Sequence, residues 1–209
     1  IDGDDLLFNA SSSSPADVSV SIEDTILTLI PFQNFNGIVE INVSVGDGEL
    51  TDSEVFTLTV QPVNDAPTID LPASVTLAED EGTVEDFSEF IADIDEDELI
   101  LTASGNENVI ISIDGFVVTF SAVENWNGTE TVTFTVDDLQ GRAVASDSIA
   151  VVVTPVNDAP VLSEIGNQQT DEDTPLEIIL TAEDIDGDDL LFNASSSSPA
   201  DVSVSIEDT

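Results

Sequence analysis

The chain has 209 residues, 45 of them Asp or Glu against the single basic residue Arg142, giving a formal net charge of −44. Cys, His, Lys and Tyr are absent, which excludes disulfides, thiolate and imidazole metal sites, Schiff-base chemistry and Lys-to-Asn isopeptide links, and leaves only oxygen donors for any ion. Such self-repulsion opposes compaction unless cations or salt screen it, but the chain is 41% hydrophobic and rich in Val, Ile, Leu and Thr, a composition of packed β structure rather than disorder.

A repeat organises the elements. Ile1 to Thr25 returns unchanged at Ile185 to Thr209, an offset of 184, and Pro62 to Pro67 (PVNDAP) recurs at Pro155 to Pro160, an offset of 93. The long period therefore holds two alternating domain types, A and B. In chain order, residues 1–66 form the later part of an A domain, 67–160 a complete B domain, and 161–209 the early part of the next A. The first part opens on the acidic residues Asp2 and Asp4. Strands are expected near Ile26 to Ile30, Ile38 to Val45 and Glu54 to Gln61, with an Asn34-Phe-Asn-Gly37 turn and an Asp47-Gly48 loop between them. In Val55 to Val60 every second residue is apolar, the period of a half-buried strand.

The B domain follows the first linker. It carries Glu79-Asp80, the acidic run Asp93-Ile-Asp95-Glu-Asp97-Glu98, the turn Asn125-Trp-Asn-Gly128, the alternating strand Thr131 to Val136 and the loop Asp137-Asp138. Val132, Phe134 and Val136 are expected on one face. After the second linker come a strand near Val161, Glu172-Asp173, strands near Leu176 to Ala182, Leu190 to Ala194 and Val202 to Ile206, and the loop Asp184-Ile-Asp186-Gly-Asp188-Asp189. Assembled from its two parts, an A domain has about seven short strands, the count of an immunoglobulin-like Greek-key sandwich. The fold class is thus all-β, a linear array of tandem sandwich domains.

The acids concentrate in loops at matching positions. Alternate acidic residues in a looped segment aim several carboxylates at one point, and without a cation they repel one another strongly. Calcium takes 6 to 8 oxygens in flexible geometry, so carboxylates, Asn carbonyls and backbone carbonyls suit it. Head-to-tail stacking brings the Asp-x-Asp loop, the loop with Asp47 or Asp138, the Glu-Asp pair of the preceding domain and the linker into one junction. Plain solvation of a halophile-like surface is the alternative. In the Asn-x-Asn-Gly turns, Gly37 and Gly128 are expected at positive φ, with Phe35 and Trp126 plugging the core beneath.

Taken together, the Val-Asn-Asp-Ala-Pro linkers (Val63 to Pro67, Val156 to Pro160), the Glu-Asp pair about a dozen residues later, the Asp-x-Asp-Gly-Asp loop, the Asn-Phe/Trp-Asn-Gly turn and the run Val45 to Ser53 resemble the cadherin-like tandem repeats of large bacterial surface adhesins. In cadherins, linker, loop and preceding Glu share calcium ions. The resemblance implies Glu79, Asn157, Asp158, Asp184 and Asp186 as ligands at the B-to-A junction. At the A-to-B junction it implies Asn64, Asp65, Asp93, Asp95 and Asp138, with a Glu equivalent to Glu172. Asp80, Asp97, Asp173 and Asp188 flank these sets, and Asp2, Asp4, Asp47 and Glu172 carry the same acids in the repeated copies.

The function expected is a calcium-binding extracellular fibre or adhesin stalk in which calcium stiffens the junctions. The alternative is a calcium-dependent carbohydrate-binding module that takes cell-surface or matrix polysaccharide. A third possibility is a filament of identical subunits that exchange strands. No enzyme is expected, because acids repeated in exposed loops do not form a pocket with one raised-pKa acid. Nucleic acid is a poor partner for so acidic a chain. No apolar run reaches the roughly 20 residues of a membrane span, so any anchor or export signal is expected outside this stretch. The sequons at Asn9, Asn42, Asn127 and Asn193 are of the frequency expected in a Ser/Thr-rich chain.

Overall fold

The computed structural model describes residues 5–141 and 144–207. Sixteen strands appear in chain order: β1 (Leu7–Ser12), β2 (Val18–Glu23), β3 (Ile26–Pro31), β4 (Gly37–Gly46), β5 (Thr51–Val60), β6 (Thr68–Ile69), β7 (Ser74–Ala78), β8 (Gly82–Asp86), β9 (Ile91–Ala92), β10 (Ile100–Ser104), β11 (Val109–Asp114), β12 (Val117–Ala122), β13 (Gly128–Asp137), β14 (Val144–Thr154), β15 (Val161–Leu162) and β16 (Ala182–Glu183). One 3₁₀ turn, Ser88–Phe90, interrupts them. The architecture is all-β, and among the described residues no helix is long and apolar enough to cross a membrane.

The central sandwich sets the sheet β10-β13-β14-β7 against the sheet β11-β12-β8. Every pairing is antiparallel except β7 on β14, which is parallel. Alternation decides what lies between the sheets. On β13, Val132, Phe134 and Val136 are fully buried, as the period of 2 requires. The outer residues Thr133 and Thr135 share hydrogen bonds with Ser148 and Ser146 at 2.9 and 2.8 Å. Phe87, Phe120 and Phe134 meet edge to face, with ring centroids 5.3 to 6.3 Å apart. Each fully buried side chain of this kind contributes roughly 1.5–3 kcal/mol. Trp126 packs against the core from its turn.

Residues 5–61 build a smaller unit, with the sheet β1-β4-β5 facing the hairpin β2-β3. Its core is Val18, Val39 and Ile41, with Phe35, Leu58 and Val60 half-buried around it. The expected strands Ile26 to Ile30, Ile38 to Val45 and Glu54 to Gln61 are β3, β4 and β5. In both turns the Asn takes a left-handed conformation, Asn34 at φ 62° and Asn125 at φ 58°, and Gly37 and Gly128 follow at φ 141° and 151°. A side chain at Gly128 would also stand 3.0 Å from the Trp126 ring.

The C-terminal part departs from expectation. Only the short β15 and β16 pair there; most of Leu176 to Ala182, and all of Leu190 to Ala194 and Val202 to Ile206, form no ladder. The reason is tertiary. The sequence of β1 recurs at Leu191 to Ser196, and it is a strand at the N-terminal copy because β4 lies beside it. At the C-terminal copy no such neighbour exists among the described residues, and strand preference alone does not hold a strand.

Candidate metal centre

At the first linker, the local chain turns acids toward the backbone. The Asp95 N–H donates to Asp93 Oδ1 at 2.8 Å and that of Asp97 to the same oxygen at 3.4 Å, an Asx-type turn that holds the loop closed. The linker docks onto it: the Asp65 N–H donates to Asp95 Oδ2 at 2.7 Å, and Asn64 Nδ2 donates to Asp138 Oδ2 at 2.8 Å. Asp138 is 1% exposed. The Asn64 amide and the Gln140 N–H hold its carboxyl below the usual Asp value. Asp93, Asp95 and Asp97 each place a carboxylate oxygen within 4.8 Å of the others, a group able to hold a cation. Asp93 Oδ2 is buried with no hydrogen-bond partner. A cleft of about 230 Å³ opens beside Asp65 and Asp95, lined also by Asn34 and Asn36.

The second linker repeats the design. The Asp158 N–H donates to Asp186 Oδ2 at 2.7 Å, and the N–H groups of Asp186 and Asp188 donate to Asp184 Oδ1 at 3.0 and 3.1 Å. Glu79, 2% exposed, accepts from the Val156 N–H at 2.6 Å and from Asn127 Nδ2 at 3.3 Å. Asp80 accepts from the Asn125 N–H at 3.0 Å. Asp158 Oδ2 is likewise buried without a partner. Burial, and then the charges of Asp80, Asp186, Glu79 and Asp184, push the Asp158 carboxyl up from its ordinary value. Five acids thus crowd one point with no positive group among the described residues to offset them, and an ionised cluster there is costly unless a cation joins it.

Of the residues singled out from the sequence, Asn64, Asp65, Asp93, Asp95, Asp97 and Asp138 come together at the first linker. Glu79, Asp80, Asp158, Asp184 and Asp186 gather at the second, with Asp188 bonded to the same loop. Asn157 is exposed and its amide donates to the Asp158 carbonyl. Asp47 accepts from Glu49 and Leu50 in its own loop, and Glu172 and Asp173 lie on an exposed stretch. Asp2 and Asp4 fall outside the described residues. Two contributors escaped the sequence reading: Gln140, whose Nε2 donates to Asp97 Oδ1 at 3.2 Å, and Asn127, which supports Glu79. Asn127 was legible only as a turn residue. Gln140 offers no signal beyond its place in the acidic Asp137-Asp138 loop.

Sandwich units in series, with acids gathered at each linker, define a tandem array of Ig-like β-sandwich domains. Residues 64–154, essentially the whole central sandwich, match the family model described as a bacterial Ig domain. The match covers the central domain and supports its Ig-like fold. No curated protein matches the sequence. Among solved structures, the chain is similar to human protocadherin-24 EC1-2, with 14% identity over 73% of this chain and 84% of that one at a TM-score of 0.47. It is similar to surface layer protein SbsC domains 1-6, with 19% identity over 75% of this chain and 21% of that one at a TM-score of 0.34. It is also similar to an endo-fucoidan hydrolase from glycoside hydrolase family 107, with 19% identity over 74% of this chain and 24% of that one at a TM-score of 0.35. The chain spans about a quarter of the length of the hydrolases it matches.

Proposed function

We propose that this chain is a stretch of an extracellular stalk or fibre whose domain junctions bind calcium and are stiffened by it. One observation carries the reading. Each linker donates a backbone N–H to the second acid of an Asp-x-Asp loop, and beside each bond lies one buried carboxylate oxygen without a partner, Asp93 Oδ2and Asp158 Oδ2. A buried anionic oxygen with no donor is costly, and an all-oxygen donor set in loops suits calcium rather than a transition metal. Asn64, Asp65, Asp93, Asp95, Asp97 and Asp138 would hold ions at the first junction. Glu79, Asp80, Asp158, Asp184 and Asp186 would do so at the second. The ion would offset the crowded charge and join linker to loop. The A and B division at 66/67 and 160/161 belongs to the same proposal, with each boundary falling at a linker.

An ion that binds the folded state alone stabilises it by mass action. Calorimetric titration should therefore detect calcium binding. Melting temperature should rise with calcium, and small-angle scattering should give a longer, narrower distribution of extents in calcium than in chelator. Identical melting and scattering in the two conditions would refute the reading.

A further inference from the structure

The two acids that follow β7 are both held by one turn of the central domain. The Asn125 N–H donates to Asp80 Oδ1 at 3.0 Å, and Asn127 Nδ2 donates to Glu79 Oε2 at 3.3 Å. The turn is itself fixed to the interior. Between the two Asn residues stands Trp126, packed against the core, with its N–H on the Val123 carbonyl at 3.0 Å. Asn125 takes the left-handed conformation at φ 58°, and Gly128 follows at φ 151°, where a Cβ would stand 3.0 Å from the Trp126 ring. Packing of the apolar residue therefore sets the place at which its polar neighbour meets Glu79.

Glu79, 2% exposed, spans from this turn to the second linker. Its Oε2 takes the Asn127 amide, and its Oε1 takes the Val156 N–H at 2.6 Å. Its own N–H donates to the Thr154 carbonyl at 2.9 Å, so main chain and side chain both meet the end of β14 and the linker that leaves it. A buried carboxylate short of donors is costly, and these two side-chain partners lie 48 and 77 residues away in sequence. With the Val156 bond alone, the carboxylate could still turn about its last torsion. A donor on the second oxygen fixes its plane. Each carboxylate oxygen can accept more than one bond, so Glu79 is oriented by this pair and keeps acceptor capacity. The same kind of turn stands at the first linker, where Asn34 and Asn36 line the cleft beside Asp65 and Asp95.

We propose that the Asn125–Gly128 turn is a positioning element of the second junction and that Asn127 is its positioning residue. Its amide holds the Glu79 carboxylate against the linker in the ion-free chain, so that this ligand is in place when a cation binds. The part that concerns the cation rests on the calcium reading above. The hold on the linker needs no ion.

Hydrogen exchange of the 209-residue chain in chelator, with high salt to screen the acids, tests the hold, and failure of the calcium reading does not decide that result. Asn127→Asp keeps the shape of the side chain but, ionised, cannot donate, and Asn127→Ala removes the group. In both, the Val156 amide should exchange about tenfold faster or more, as expected when a hydrogen bond to a charged group is lost, with the amides of β13 and β14 at their wild-type rates. Unchanged Val156 exchange in Asn127→Asp would overturn the proposal. So would equal acceleration throughout β13 and β14, the mark of a residue that merely stabilises the domain. In calcium, Asn127→Ala should weaken binding at the second linker about tenfold and leave the first as it is. Wild-type affinity at the second linker in that variant would remove Asn127 from the positioning of the ligand.

Discussion

The Asp158 N–H points at Asp186 Oδ2 from 2.7 Å, and the Asp65 N–H points at Asp95 Oδ2 from the same distance. The linker backbone is thus tied to the second acid of the loop at both ends of the central domain. The first acid, Asp93 or Asp184, closes the loop through one oxygen. Asp93→Asn should therefore preserve the loop turn, since Asn also accepts at its carbonyl, but remove a charge from the proposed ion site. Calcium affinity at the first linker should fall by about tenfold or more, or about 1.4 kcal/mol, with the second linker unaffected. Calorimetric titration that finds both classes of site unchanged would remove Asp93 from the ligand set.

Asp158 makes the second linker sensitive to pH when no metal is bound. Its carboxyl titrates above the ordinary 3.8 in the folded chain, so the folded state holds more protons than the unfolded one just above that value. Stability of this junction in chelator should therefore fall as pH rises through that range. Calcium, which favours the ionised form, should reverse the trend. Hydrogen exchange at the Val156 and Asp158 amides reads the effect, and Asp158→Asn should flatten it.

Glu130 predicts the opposite slope. Burial pushes its carboxyl up, but the N–H groups of Glu107, Val109 and Asn108 and the Asn108 amide outweigh that and bring it from 4.5 to about 2. These four bonds measure 2.7 to 3.0 Å. Their contribution is fully present above pH 4.5 and is lost as pH falls toward 2. Glu130→Gln should cost roughly 1–3 kcal/mol at neutral pH and reduce the acid sensitivity of the central domain, as followed by denaturant unfolding against pH.

Phe134 meets both Phe87 and Phe120 edge to face and is fully buried. Phe134→Ala should destabilise the central domain by about 3–5 kcal/mol. Ile38, 70% exposed on β4, should tolerate Ala within about 0.5 kcal/mol. Equal losses at both positions in denaturant melts would contradict the two-sheet arrangement.

The sandwich was legible in the sequence wherever one face of a strand is buried. Val132, Phe134 and Val136 alternate with Thr because β13 has a core on one side only, and the same holds for Val39 and Ile41 on β4. The linkers and Asp-x-Asp loops were legible because the repeat places the same acids at the same turn. Leu176 to Ala182 was misread because alternation records an intended face, and the face for that segment lies on another part of the A unit. Gln140 was invisible because its bond to Asp97 crosses 43 residues, and nothing in the local pattern specifies such a contact.

The parallel pairing of β7 with β14 determines how the domain would meet a pull along its length. Ser74 lies beside Ala150 and Ala78 beside Thr154, so tension entering ahead of β7 and leaving after β14 slides one strand past the other. The bonds from Ala150 N–H to the Ala73 carbonyl at 3.0 Å and from Glu79 N–H to the Thr154 carbonyl at 2.9 Å stand at the two ends of this contact and are loaded together. They cannot open one after another as in a peeled hairpin. Rupture then demands a high force, and the unfolding rate rather than the equilibrium free energy sets the load that such a tether survives.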